Sequence, residues 1–148
     1  MATLVKQIKD RIKDLLEELR DSGTLGEVYT DDYKQGIFDR DYSAYPAAIL
    51  TSPAIEGSAF TNRQNERVHT FEIIFVQKGE NVKTATDIED LIETILNKFD
   101  NDPTLDGKAD GGVEPSTSSP QAVVSRGKSY IAFSVRLRAK AIKDLTFS

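Results

Sequence analysis

The sequence predicts a single α+β domain, with an antiparallel or mixed sheet of four to five strands and two amphipathic helices packed on one face. Two apolar stripes at helical spacing indicate the helices, and a long alternating segment near the end of the chain indicates the most regular strand. A length of 148 residues fits one core, and no linker separates a second apolar cluster. We therefore expect residues 1–148 to form one domain, with mobile loops at about 53–66 and 100–120.

The first helix is predicted over Leu4 to Leu19. Thr3 is suited to cap its start, and Gly23 is suited to end it in the left-handed conformation. The apolar residues recur at steps of three and four, which places them on one stripe: Leu4, Val5, Ile8, Ile12, Leu15, Leu16 and Leu19. Such a stripe needs a partner surface, which in a single domain is a sheet.

The middle of the chain predicts three strands separated by polar segments. Short strands are expected at Glu27 to Thr30 and at Ala47 to Thr51, where Pro46 suits a strand start because it cannot donate to a ladder. Residues 57–66 are polar and predict a loop or a hairpin arm. Arg67 to Gln77 is rich in β-branched and aromatic residues, with apolar groups on both faces at its far end, which predicts an interior strand.

A second helix is predicted to begin at Thr86, which has Glu89 at capping-box spacing. Its apolar stripe ends at Phe99, and Pro103 forbids continuation. Residues 100–120 are rich in proline, glycine and serine, and this composition is typical of a long, mobile loop. Two strands should follow it, a short one at Ala122 to Ser125 and a long one from Ser129 to Ala141.

The composition excludes several kinds of chemistry. The chain has no cysteine and one histidine, so it cannot form a disulfide, a thiolate nucleophile or a site with two imidazoles of its own. A net charge of −5 argues against a protein that binds nucleic acid through overall attraction to phosphate. No stretch has the roughly 20 apolar residues that cross a bilayer, and the N-terminus lacks a signal layout, so we expect neither a membrane partner nor export.

The charge is unevenly distributed along the chain. Residues 79–115 hold ten acidic residues and three lysines, whereas residues 121–148 hold six basic residues and one acidic residue. Opposite charges on one chain suit a head-to-tail contact between copies, which can close into a ring.

The aspartates after the second helix only superficially resemble a calcium-binding loop. Counting from Asp100, the glycine is eighth and the twelfth position is Gly111, where an EF-hand has its glycine sixth and a glutamate twelfth. A solvated acidic loop is the favoured interpretation, with no metal. His69 is interpreted as a partly exposed strand residue, since no nucleophile-elbow pattern surrounds the available serines. We therefore predict no catalytic residue, no cofactor and no enzyme activity.

Arg136, Arg138 and Lys140 repeat every second residue, so they stand on one strand face about 7 Å apart. A solubilising solvent face is the simpler interpretation. The alternative is that this basic ladder contacts an acidic surface, either the aspartate-rich loop of a neighbouring copy or nucleic acid in a passage. The suspected subunit or partner interface comprises Arg136, Arg138, Lys140, Asp100, Asp102, Asp106, Asp110, Arg63 and Glu66.

Six segments carry a family resemblance that runs across most of the chain. They are Leu4 to Leu19, Tyr45-Pro46-Ala47-Ala48-Ile49-Leu50, His69-Thr70-Phe71-Glu72-Ile73-Ile74-Phe75, Asp87-Ile88-Glu89-Asp90-Leu91-Ile92, Phe99-Asp100-Asn101-Asp102-Pro103-Thr104-Leu105-Asp106-Gly107 and Lys128-Ser129-Tyr130-Ile131-Ala132-Phe133. In this layout the chain resembles the tail terminator, or tail completion, proteins of long-tailed bacteriophages and the related neck and tail-joining subunits.

The resemblance implies a non-enzymatic structural virion protein, assembled in the host cytoplasm and located in the tail or neck. Such a subunit forms a homo-oligomeric ring, expected to be a hexamer, that caps the tail tube protein, stops its polymerisation and docks the head connector or stopper protein. DNA would pass through the ring lumen, and residues 57–66 and 107–120 would be contact arms. Another connector or neck subunit, a non-viral intracellular adaptor domain and a small hydrolase or metal-dependent nuclease remain alternatives.

Overall fold

A computed structural model describes residues 4–31, 42, 44–51, 54–57, 64–82, 85–125 and 127–144. The fold class is confirmed: it is a single-domain α+β fold with two helices and a mixed sheet among these residues. The elements are α1 (Leu4–Asp21), β1 (Glu27–Asp31), β2 (Ala47–Thr51), β3 (Ala54–Gly57), β4 (Gln64–Lys78), α2 (Ala85–Asp100), β5 (Gly112–Thr117), β6 (Gln121–Ser125) and β7 (Lys128–Asp144). Neither described helix is long and apolar enough to cross a membrane.

The sheet is five strands wide but contains seven described strands. Its order is β1-β2-β4-β7-β5, with β3 also beside β4 and β6 also beside β7. The short strands β2 and β3 pair with different halves of β4, and β5 and β6 pair with different halves of β7. Strand β1 is parallel to β2, and the other pairs are antiparallel, so the sheet is mixed. The predicted number of four to five strands is therefore too low, because β3 and β5 lie in segments whose composition predicts loops.

The centre of the sheet is the long antiparallel pair of β4 and β7, which stays in register over fifteen residue pairs. Alternation along these strands sends Phe75 and Phe133 to one face, where their rings stack with centroids 5.0 Å apart. Both helices pack on this face, which we call the helix face. The core there includes Ile8, Ile12, Leu16, Leu50, Phe71, Ile73, Phe75, Ile95, Phe99, Leu105, Val135 and Leu137. This arrangement confirms the prediction that two apolar stripes cover one side of a sheet.

The helix ends agree only in part with the predicted caps. Gly23 has a φ of +90°, and the amide of Thr24 donates to the carbonyl of Leu19 at 2.9 Å, so the left-handed end of α1 is confirmed. The proposed cap Thr3 lies outside the described residues. Helix α2 begins at Ala85, so Thr86 lies inside its first turn and the prediction that Thr86 is the N-cap is wrong.

The predicted mobile loop at 100–120 is wrong in much of its length. Leu105 and Ala109 are completely buried in the core, and residues 112–117 form β5 against β7. The Gly111 amide also donates to the carbonyl of Lys140 at 2.8 Å. The acidic and glycine-rich composition does not indicate that Leu105 and Ala109 are buried and attach this segment to the domain.

The predicted loop at 53–66 is also replaced in part by strand. Residues 54–57 form β3, and β4 already begins at Gln64 rather than at Arg67. Strand β3 pairs with residues 67–70 of β4, whose backbone groups would otherwise form a sheet edge. The earlier start of β4 follows instead from the pairing of residues 64–66 with residues 142–144 of β7. Residues 53 and 58–63 lie outside the described part of the chain.

Candidate functional site

The basic ladder lies on the sheet face opposite the helices. Its residues Arg136, Arg138 and Lys140 alternate along β7 with Val135, Leu137 and Ala139, which are buried in the helix-face core. The side chains of the ladder are 58%, 44% and 29% exposed, in that order. The prediction that one face of this strand is core and the other is basic is confirmed for the half that carries the ladder. In the other half it is wrong, because Tyr130 and Ala132 on the predicted basic face are buried.

Two glutamates from neighbouring strands partly neutralise the ladder. Glu72 lies opposite Arg136 in the register of β4 with β7, with a carboxylate oxygen 3.5 Å from the guanidinium. Glu114 lies opposite Arg138 in the register of β5 with β7, and it accepts a hydrogen bond from Lys140 Nζ at 2.8 Å. The ladder therefore meets acidic partners within its own chain, and three cations against two carboxylates make a weaker surface for phosphate than the sequence indicated.

The sequence prediction missed both glutamates for different reasons. Alternation places Glu72 on the polar face of its strand, but only the register shows that it opposes Arg136. Glu114 belongs to β5, in a segment whose composition predicts a loop. A polar residue flanked by Val113 and Pro115 is a weak signal for a strand.

The hydrogen bond from Lys140 is the main cause that lowers the pKa of Glu114, and the positive charges of Lys140 and Arg138 lower it further. A carboxyl group with a lowered folded-state pKa contributes stability above its unfolded-state pKa and loses it as the pH falls through the folded-state value. For Glu114 the pH range over which this stability is lost begins near the ordinary pKa of 4.5 and extends downwards.

We expect the Glu114→Gln variant to be less stable than the wild type at pH 7 and equally stable at about pH 2, where both side chains are neutral. Urea unfolding at the two pH values measures the difference. Glu93→Gln, an exposed acid in the middle of α2, is the matched control and should show no such pH-dependent gap. An equal effect of the two substitutions at pH 7 would contradict a stabilising contact at Glu114.

Among the predicted acidic contacts, Asp102 has a structural role within the chain. Arg11 Nε of α1 donates to its carboxylate at 2.8 Å, and this hydrogen bond is the main cause that raises the pKa of Arg11. The Asp106 amide donates to the same carboxylate at 2.9 Å. Asp102 thus ties the turn after α2 to α1, while Asp100, Asp106 and Asp110 are exposed.

The acidic and basic groups predicted to interact lie on opposite faces of the sheet. Residues 85–111 carry eight acids and two lysines, and this segment packs on the helix face through Ile95, Phe99 and Leu105. The ladder is on the other face. Of the remaining predicted interface residues, Arg63 lies outside the described residues, and Glu66 lies in β4 opposite Ile142.

His69 differs from its prediction. Its exposed fraction is 3%, and it lies opposite Ala139, on the helix face of β4. The prediction of a partly exposed strand residue is therefore wrong, because β4 begins earlier than expected and both of its sides are paired here. Within the described residues, no group of three or more histidine, aspartate and glutamate side chains is placed to hold a metal ion.

A pocket of about 380 Å³ opens at the other end of the face that carries the ladder. Its lining residues, which define the tyrosine pocket, are Tyr42, Tyr45, Lys78, Glu80, Lys128, Ser129 and Tyr130. The ring of Tyr45 stacks on Tyr130 with centroids 6.3 Å apart and meets Tyr42 edge-on at 5.9 Å. The sequence prediction missed this pocket, because it joins Tyr42 and Tyr45 to two strands that are distant in the sequence.

Comparison with known proteins adds no assignment: no protein-family model matches the chain, and no curated protein matches it either.

Proposed function

We propose that this chain is a structural subunit that assembles head to tail into a ring in the tail or neck of a long-tailed bacteriophage. In this role it acts as a tail terminator, which caps the tail tube and presents a docking face to the head connector. The family resemblance supports the viral role. The observation that carries the assembly mode is the position of the acidic segment 85–111 and of the basic ladder on opposite faces of one sheet.

Opposite faces favour a contact between different surfaces of neighbouring copies. An acidic face of one subunit and a basic face of the next make a heterologous contact, which generates a ring when the rotation closes. Complementary charge fixes the register and speeds the encounter of such surfaces, while each exposed ion pair contributes only about 0–1 kcal/mol. The remaining affinity must come from other surface that is buried between neighbouring subunits.

The ends of the sheet offer part of that area. In the described strand order, β1 is at one end and β5 with β6 is at the other, so each has a backbone edge that can pair with another strand. Val124 of β6 is 75% exposed, which adds an apolar side chain to this edge. Edge pairing would supplement the charged contact between faces.

The proposal is tested by charge reversal followed by mixing. Variant A carries Arg136→Glu and Arg138→Glu. Variant B carries Glu93→Lys, Asp100→Lys, Asp106→Lys and Asp110→Lys, which leave residues 85–111 with four acids and six lysines. Each variant alone should stay a monomer, because its two contact surfaces have like charge. An equimolar mixture of A and B should form rings with an even number of subunits, since each type then meets an opposite surface. Native mass spectrometry counts the subunits, and electron microscopy should show a central hole.

The matched control is Lys6→Glu, an exposed reversal at the start of α1, which should assemble as the wild type does. A wild-type protein that stays strictly monomeric at high concentration and low salt would overturn the assembly proposal. Rings formed equally well by A alone, B alone and the mixture would show that these charges do not define the contact.

The terminator role has a separate test from ring formation. A terminator should bind the end of a polymerised tail tube and stop its growth, whereas another neck or connector subunit should bind only head components. Electron microscopy of tube ends incubated with the protein distinguishes these two outcomes.

A monomeric intracellular adaptor is the second candidate function. The observation that favours it is the partial neutralisation of the ladder by Glu72 and Glu114, since a ladder with partners in its own chain has less need of a neighbouring copy. Persistent monomers with stable folding would support this candidate.

A further inference from the structure

We propose that Asp106 is a site of spontaneous self-modification, at which a cyclic imide forms with the Gly107 nitrogen and opens to isoaspartate. The chain has two Asp–Gly pairs, and glycine favours this rearrangement because it has no side chain to hinder attack by its nitrogen. The fold directs the reaction to Asp106 and protects Asp110. This inference goes beyond the proposed assembly role, because the change is covalent and needs neither a second copy nor a partner.

The reaction has two steps and uses no reagent other than water. In the first step, the Gly107 nitrogen attacks Cγ of the protonated Asp106 carboxyl group. A bond forms between the nitrogen and Cγ, and the hydroxyl group leaves with the amide hydrogen as water. In the second step, water opens the ring. Cleavage of the bond to Cγ restores aspartate, whereas cleavage of the original peptide bond gives isoaspartate, in which the main chain runs through Cβ and Cγ.

Asp106 and Gly107 are the two central residues of a tight turn. The Lys108 amide donates to the Leu105 carbonyl at 3.2 Å, which closes the turn. The φ angles of Asp106 and Gly107 are 57° and 78°. Positive φ at both central positions identifies a type I′ turn.

A flip of the peptide group between Asp106 and Gly107 brings the reacting atoms together. Ring closure needs Cβ of Asp106 and the next nitrogen in one plane, which for an L-residue requires a ψ of about −120°, as at the second residue of a type II′ turn. Asp106 already has the positive φ of that turn, so only the peptide group has to rotate. Gly107 tolerates the accompanying change of φ because it has no Cβ. The hydrogen bond from Lys108 to Leu105 closes both turn types and is therefore kept.

The Gly107 amide is only weakly restrained against this flip. It donates to the side-chain hydroxyl oxygen of Thr104 at 3.2 Å, in an exposed position. Water can replace this partner as the amide turns away, so the hydrogen bond is not left unmade during the flip.

The second pair, Asp110–Gly111, is restrained by the sheet. The Gly111 amide donates to the Lys140 carbonyl at 2.8 Å, next to the first residue pair of β5 with β7. A Cβ atom at Gly111 would lie 2.8 Å from Cβ of Lys140, so the Gly111 backbone packs directly on β7. Rotation of this peptide group would break a backbone hydrogen bond and move main-chain atoms against the strand. Two pairs with the same sequence should therefore differ in rate.

The product changes the turn that keeps Leu105 buried. Isoaspartate adds one carbon to the main chain between Leu105 and Gly107, and its free α-carboxyl group becomes the side chain. The negative charge is kept, but a two-residue turn no longer fits the longer chain. Asp106 is therefore where storage of the protein should first alter its structure.

The test compares the two sites within one sample of folded wild-type protein, stored warm at slightly below neutral pH for several weeks. Trypsin cleaves after Lys98, Lys108 and Arg126, so the two sites fall in separate peptides, and electron-transfer fragmentation identifies isoaspartate in each. Isoaspartate should form about tenfold faster at Asp106 than at Asp110, a factor that one retained backbone hydrogen bond can supply. In urea the two rates should become similar. Similar rates in the folded protein, a faster rate at Asp110 or no isoaspartate at either site would overturn the proposal.

A substitution at Thr104 gives an independent measurement. Thr104→Val removes the hydroxyl group that holds the Gly107 amide, so it should speed the reaction at Asp106 about two- to fivefold and leave the rate at Asp110 unchanged. The matched control is Thr94→Val, which removes a hydroxyl group bonded to the Asp90 carbonyl in α2 and should match the wild type at both sites. A Thr104→Val protein that changes both rates equally, or neither, would overturn the proposed restraint.

Discussion

The Phe75→Ala variant is expected to lose about 3–5 kcal/mol of unfolding free energy, because it removes a whole aromatic ring from the core. Phe75 is completely buried in the middle of β4 and stacks on Phe133 of β7 at a centroid distance of 5.0 Å. Truncation leaves a cavity between the sheet and the helices, where the long paired strands cannot easily collapse inwards. Urea unfolding followed by circular dichroism measures the loss.

Val124→Ala is the control for Phe75→Ala. Val124 lies in a strand of the same sheet but is 75% exposed, so its truncation should change the unfolding free energy by about 0.5 kcal/mol or less. If Phe75→Ala cost no more than this control, the assignment of Phe75 to the core would be wrong. A variant too unstable to purify can be replaced by Phe75→Leu, which keeps most of the buried area and should lose less.

The Leu105→Ala variant is expected to lose about 2–5 kcal/mol, although Leu105 lies in a segment with the composition of a loop. Leu105 is completely buried and belongs to the core on the helix face. Its φ of 49° is in the left-handed region, which costs an ordinary residue roughly 1–2 kcal/mol. Burial of the leucine side chain offsets that strain, and alanine would retain the strain without the burial.

Two further substitutions separate packing from backbone strain at this turn. Leu105→Gly removes the side chain but also relieves the left-handed strain, so it should be no more destabilising than Leu105→Ala even though glycine is the more flexible residue. Lys108→Ala, an exposed change three residues later, should be nearly neutral. A loss below about 0.5 kcal/mol for Leu105→Ala would support the mobile loop that the composition predicts.

The elements with a strong local period were predictable from the sequence. The stripe of α1, the stripe of α2 and the alternation of β7 all follow from side-chain direction within one element. The strands that the sequence does not predict, β3 and β5, are short and contain or follow proline. Pro115 is compatible with β5 because this strand is at an end of the strand order, where a missing ladder donor costs little.

The candidate sites were less predictable, because they depend on register between strands that are distant in the sequence. The sequence showed that Arg136, Arg138 and Lys140 share a face, but it could not show that Glu72 and Glu114 lie opposite them. The tyrosine pocket depends in the same way on the pairing of Lys78 with Tyr130. Periodicity determines which face a side chain occupies, and only the fold determines its neighbours.

The unbroken pairing of β4 with β7 has a mechanical consequence. Beyond the flanking strands β3 and β5, three residue pairs, from Gln64–Asp144 to Glu66–Ile142, continue as a two-stranded ribbon. Because its register is continuous over fifteen residue pairs, the projecting ribbon has no joint between its tip and the core. A force applied at that tip would pass into the body of the subunit as it would along a lever arm.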